Sequence, residues 1–293
     1  MNRRALFVAS YLAPAAVLYG LFVLVPFVQT FQLSFFSFRG VSSERRWVGP
    51  QYYQALATDE VVPKVLAHLG FLLIGGGLCA LVMAMVTAHA LQENTRLARF
   101  VRGVFLFPQV VSVVAVAVMW QFLYAPNGGL INGFLRAVGL GGMAKSWLGD
   151  TTWALPAVGV AWVWFAVGFY IMLFAAGIKG IPAEIGEAAS LEGCFGWKRF
   201  VSITWPMLWS VRRVAVVYVA VNVFNVFALV NVMTNGGPAR ATETFLTYIY
   251  EQGFSASKFG YASALAIVNL AVILVVTFAL GAMFRKNPEG ART

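Results

Sequence analysis

Residues 151–178 read TTWALPAVGVAWVWFAVGFYIMLFAAGI, 28 consecutive positions without one Asp, Glu, Lys or Arg. A helix rising about 1.5 Å per residue needs about 20 apolar residues to cross the hydrocarbon core of a bilayer, so this stretch is long enough to span one. Five further runs lack charge in the same way: 5–38, 65–92, 103–135, 214–239 and 259–284, with lengths of 34, 28, 33, 26 and 26 residues. Their ends trim back at turn-forming clusters such as Ala125-Pro126-Asn127-Gly128-Gly129 and Asn235-Gly236-Gly237-Pro238. No ten-residue segments of alternating polarity appear, which argues against a membrane β-barrel. The pattern predicts an all-α membrane protein with six transmembrane helices.

Composition agrees. Hydrophobic residues make up 60% of the 293, charged residues 11%, and the mean hydropathy is +0.77. A soluble domain carries about a quarter charged residues, so most of this chain's solvent is lipid. The net charge of +10 does not point to nucleic acid, because the Lys and Arg residues are scattered through short loops rather than gathered on one face. An even number of spans puts both termini on one side. If that side is the cytoplasm it receives 13 of the 21 basic residues, including the cluster Arg96, Arg99 and Arg102 and the tail residues Arg285, Lys286 and Arg292, against 8 on the other. That bias predicts cytoplasmic termini. The N-terminal run is too long for a signal-peptide core and reads as an uncleaved first span. Cys79 and Cys194 provide no disulfide framework. His68 and His89 sit about 30 Å apart along one helical run, so neither a metal nor a cofactor is expected. Thr242–Gln252 has helical spacing and reads as an interfacial helix or an extended loop.

One loop is conspicuously polar. Residues 178–193 read IKGIPAEIGEAASLEG. Pro182 suits the first turn of a helix, Glu184 and Glu187 favour its positive end, and Gly193 is a natural stop. A second short helical stretch follows over Trp197–Thr204, and Trp205-Pro206 leads into the fifth span. A short helix bearing carboxylates and small residues suits docking in another protein's groove, but it equally suits a solvated connector, and residue chemistry leaves the two open.

The spacing of this loop resembles the signature of the permease subunits of binding-protein-dependent ABC importers: Glu-Ala-Ala, three residues, Gly, nine residues, Ile-x-Leu-Pro. Glu187-Ala188-Ala189, Gly193, Ile203 and Pro206 occupy those places. Trp205 stands where Leu is usual, and Glu192-Gly193-Cys194 replaces the commoner Asp-Gly-Ala. Trp47-Val48-Gly49-Pro50-Gln51-Tyr52-Tyr53 is similar to the Phe-Val-Gly-Leu-x-Asn-Tyr segment that follows the first span of sugar permeases, with Pro50 and Tyr52 departing from it. Thr234-Asn235-Gly236-Gly237-Pro238, with Thr242 after it, resembles the Thr-x-Gly-Gly-Pro…Thr element of the larger permease of each pair, the maltose and glycerol-phosphate type.

The resemblance implies a type I permease fold over 65–284, preceded by a first helix and short extracytoplasmic segment over 1–64 and followed by a cytoplasmic tail over 285–293. It implies three partners: a second permease subunit, a dimer of ATP-binding subunits and an extracytoplasmic solute-binding protein. The chain has no Gly-x-x-x-x-Gly-Lys-Ser/Thr phosphate loop, so ATP hydrolysis falls to a partner and the chain is not an enzyme. The family assigns ATPase coupling to the 182–206 loop, and so to Glu184, Glu187, Ala188, Ala189, Gly193, Ile203 and Pro206.

For the path itself the candidates are Gln109, Trp120, Trp162, Asn222, Phe224 and Asn225. Amides inside a membrane serve either as interhelical glue or as the lining of a wet cavity, and the aromatics suit stacking or packing. No span carries an ionisable residue near its middle, as an ion-driven carrier or a strongly charged solute would require. An intramembrane enzyme would need clustered His, Asp or Glu, which the runs lack. A sugar or sugar-like solute is the expectation, with a glycerol-3-phosphate permease of the same family as the alternative and a secondary carrier behind it.

Overall fold

The computed structural model describes residues 3–40, 44–92 and 95–284. Met1-Asn2 and the tail over 285–293, with Arg285, Lys286 and Arg292, lie outside the described residues. Among the described residues the regular structure is helical apart from one pair of two-residue strands. Four helices among the described residues are long and apolar enough to cross a membrane: Ser10–Leu33, Val61–Ala90, Ala154–Lys179 and Phe259–Met283.

The third and fifth apolar runs do not form single straight spans. In the third, Arg96–Val110 and Val113–Leu123 meet at 104°. Thr95 opens the first of these by accepting a hydrogen bond from the Ala98 amide at 3.1 Å. Pro108 lacks the amide proton the helix interior needs, and Val111 and Ser112 turn extended with ψ of 145° and 134°. The remainder of that run forms a separate short helix, Leu130–Ala137. The fifth run is entered through a bend at Leu208, where Gly196–Met207 of the polar loop and Trp209–Phe224 meet at 73°, and the run itself breaks before Ala228–Met233. Charge-free length found both runs, but periodicity does not register a bend. Counting each bent pair as one crossing gives six spans.

The described residues fall into two compact units. One joins the chain up to Val62 with Tyr248–Ala271. Here strands Phe36–Ser37 and Arg46–Trp47 pair antiparallel with Phe36 opposite Trp47, and the Ser34 and Tyr53 hydroxyls share a hydrogen bond of 2.7 Å. Gly260 lets the backbone of Phe36 come close, since a Cβ there would lie 2.0 Å from the Phe36 carbonyl oxygen. Asp59 accepts hydrogen bonds from the hydroxyls of Tyr248, at 2.6 Å, and Tyr261.

The other unit joins Pro63–Thr247 with the chain from Val272 on, and its core is the fourth span, Ala154–Lys179. Its most apolar stretch is 67% buried, while that of the first span is 0% buried and so belongs to lipid or another chain. Small residues bring the spans together, because in lipid close backbone approach and dispersion replace the hydrophobic effect between helices. Ala80, Ala84 and Ala88 form one buried ridge of the second span at four-residue spacing. A Cβ on Gly168 would lie 2.1 Å from the Phe105 carbonyl oxygen, so the first half of the bent third span rests directly on the fourth.

Candidate coupling loop and translocation path

The polar loop folds as its residues dictate. Pro182 precedes the helix with ψ of 135°, Glu184 lies in its first turn, and the helix runs Ala183–Leu191. It ends in a Schellman motif: the Cys194 amide donates to the Ala189 carbonyl at 2.8 Å and the Gly193 amide to that of Ser190 at 3.1 Å. The closing residue is Gly193, at φ +70°. The Ser190 hydroxyl donates back to the Gly186 carbonyl at 2.9 Å.

The expected coupling residues divide into three groups. Glu184, Glu187 and Ala188 share the exposed face. Ala189 turns inward and is 5% exposed, and Gly186 lies beside it under the side chain of Arg199. Gly193 caps the helix, while Ile203 and Pro206 sit half-buried in the second helix of the loop. Two further features are in the structure. Leu191, the last helical residue, is 91% exposed and carries an apolar side chain into solvent beside the carboxylates. Beneath the loop, the guanidinium of Arg212 lies 4.1 Å from the Trp205 ring centre and 5.3 Å from that of Trp209. The first feature follows from register, since Leu191 lies seven residues after Glu184. The signal for the second was the departure at Trp205: a ring in place of Leu provides a face for a cation. Trp197 and Phe200 stack at 4.9 Å, and His89 meets Phe200 at 4.5 Å, so aromatics fasten the loop to the second span.

The candidate path residues separate likewise. Asn222 donates to the Tyr218 carbonyl of its own helix at 2.8 Å. Tyr218 packs on Phe169 at 4.6 Å and meets Tyr170 edge-on at 6.3 Å. Asn225 donates to the Val221 carbonyl at 2.7 Å and caps the end of the helix at Phe224. Gln109 is exposed and donates to the Phe165 carbonyl. Trp120, Trp162 and Phe224 are each at most 9% exposed. Trp120 meets Trp164 edge-on at 5.9 Å, with its indole N–H buried and without a partner. Tyr170 and Tyr218 were absent from the expectation, because a Tyr in an apolar span carries no periodic signal.

The Gly-Gly-Pro element forms a knot of polar contacts. Thr234 and Thr242 share a hydroxyl hydrogen bond of 2.7 Å, and Thr242 also donates to the Gly237 carbonyl at 2.8 Å. Glu243 is 4% exposed, pairs with Arg240 at 3.0 Å and accepts from Thr247 at 2.6 Å. His68 of the second span bonds the Glu243 carbonyl at 2.9 Å. The segment read over Thr242–Gln252 contains the helix Phe245–Tyr250, with Phe245 0% and Tyr250 42% exposed.

The chain belongs to the family of binding-protein-dependent transport system inner membrane components, whose model matches residues 76–287. It is a multi-pass permease subunit of an ABC importer. It is 33% identical to a probable ABC transporter permease, YurN, of Bacillus subtilis over 288 residues, covering 98% of this chain and 97% of that one. It is also 33% identical to the diacetylchitobiose uptake permease NgcF of Streptomyces coelicolor, covering 93% and 80%. Its fold superimposes on a chain of a bacterial ABC transporter that imports the acidic polysaccharide alginate, with a TM-score of 0.84 at 22% identity and coverage of 97% and 96%.

Proposed function

We propose that the chain forms half of the translocation path for an uncharged sugar or sugar-like solute and that the 182–206 loop couples it to an ATPase. The observation that carries the coupling reading is the exposed face of the Ala183–Leu191 helix, where Glu184, Glu187, Ala188 and Leu191 stand out together. Carboxylates seek basic side chains of a partner, Ala188 permits close approach, and Leu191 offers an apolar anchor. The remaining contacts fasten this helix to the spans, so a pull on the helix moves them as a rigid body.

The solute reading is supported by the similarity to a diacetylchitobiose permease and by spans without a central charge. Tyr218, which is exposed, and the half-buried Asn222 then supply a ring face and an amide, the groups that hold a hydroxylated ring. A second permease completes the path, a solute-binding protein delivers from outside, and both termini lie in the cytoplasm with the loop. The test is uptake in proteoliposomes holding the whole importer, with diacetylchitobiose as probe. Uptake is expected to need ATP and the binding protein, and Glu187→Arg is expected to reduce it while the complex still assembles. Uptake driven by an ion gradient alone, or unaffected by Glu187→Arg, would overturn the proposal.

A further inference from the structure

Beside the polar loop lies a groove of about 280 Å³ that the transport reading does not use. Leu78, Val82 and Val86 of the second span form one wall, at 60%, 53% and 55% exposure, so the groove opens sideways where a membrane protein meets lipid. Phe174 and Val216 lie deeper. One charged side chain enters the lining, that of Arg212. The face of its guanidinium is taken by Trp205 and Trp209, while its Nε is buried and has no partner. A buried guanidinium N–H left unpaired is costly, and stacking on a ring does not satisfy it, because the rings meet the face and the N–H bonds lie in the plane. The positive charge and the unpaired N–H call for an anionic oxygen acceptor such as a phosphate. A free ion would leave the apolar walls unfilled, whereas an acyl chain fills them. Trp197 and Trp205, which also line the groove, are of the residue type that settles at the headgroup level.

We infer that this groove binds an anionic phospholipid, with one acyl chain along the second span and the headgroup phosphate on Arg212. The lipid then completes the underside of the loop helix and ties its position to the composition of the leaflet. This requires only that the chain is a membrane permease, and it holds whatever the solute.

The test is native mass spectrometry of the purified whole importer titrated with phosphatidylglycerol, phosphatidylcholine or inorganic phosphate. The wild type is expected to retain phosphatidylglycerol over phosphatidylcholine. Arg212→Gln is expected to lower that retention about fivefold, the value of one basic side chain at a lipid surface, and to leave phosphatidylcholine unchanged. Val86→Trp, at an exposed position, fills the groove without touching Arg212 and is expected to reduce retention of both lipids. Equal phosphatidylglycerol retention in the wild type and Arg212→Gln overturns the inference. If Arg212→Gln fails to assemble, equal retention in Val86→Trp overturns it alone. Displacement of the lipid by inorganic phosphate would show a free-ion site and would refute the acyl-chain assignment.

Discussion

Gly193 offers a test in which conformation and size rank Ala and Asn in opposite order. At φ +70° the residue is left-handed, and nothing lies within 4 Å of where its Cβ would stand. A side chain therefore meets no obstacle, and the cost of adding one is the cost of the backbone conformation. That cost is about 1 kcal/mol for Ala, less for Asn, which tolerates this region, and about 2 kcal/mol for a β-branched residue. The equilibrium between the capped and frayed ends of the helix then shifts about fivefold in Gly193→Ala and about thirtyfold in Gly193→Val. Two amides report it, since Gly193 and Cys194 donate to Ser190 and Ala189. Hydrogen exchange at these amides is expected to accelerate in the order Asn, Ala, Val, and solute carried per ATP hydrolysed to fall in the same order. Asn is larger than Ala, so an order of Ala, Asn, Val would refute the conformational argument. Wild-type uptake per ATP in Gly193→Val would refute the coupling role.

Gly168→Ala places a methyl group 2.1 Å from the Phe105 carbonyl oxygen, a backbone atom that cannot turn aside. The two spans must separate, at a cost of about 1–3 kcal/mol or more, visible as a lower unfolding temperature or lost assembly. Glu243→Gln removes the charge partner of Arg240 in the buried Gly-Gly-Pro knot, and a loss of about 1–3 kcal/mol is expected in thermal unfolding; unchanged stability would deny Glu243 a structural role. Trp205→Leu restores the residue usual in the family but removes the ring under Arg212, and is expected to cost about 0.5–2 kcal/mol unless Arg212 is replaced as well. A double-mutant cycle measures that coupling directly, and a value of zero would sink the stacking account.

The sequence alone established the membrane class, the six apolar runs and the polar loop, because each rests on local composition. A charge-free run of 28 residues has no stable place in water, and Pro182, Glu184 and Gly193 direct helix start and stop through their own backbone and charge. The Schellman cap at Gly193 was legible for that reason. The bend at Val111-Ser112, the inward turn of Ala189 and the burial of Phe245 were not, since hydropathy measures how apolar a segment is and not which neighbour covers it. Nor did residue type divide the path candidates. Trp120 and Phe224 are as apolar as any solute-stacking ring, yet their neighbours bury them, while Tyr218 stays exposed beside the Tyr170 of another span. The sequence determined what each segment is, because composition and capping act within a few residues. Only the tertiary structure decided which faces meet, because close packing joins residues that the chain holds far apart.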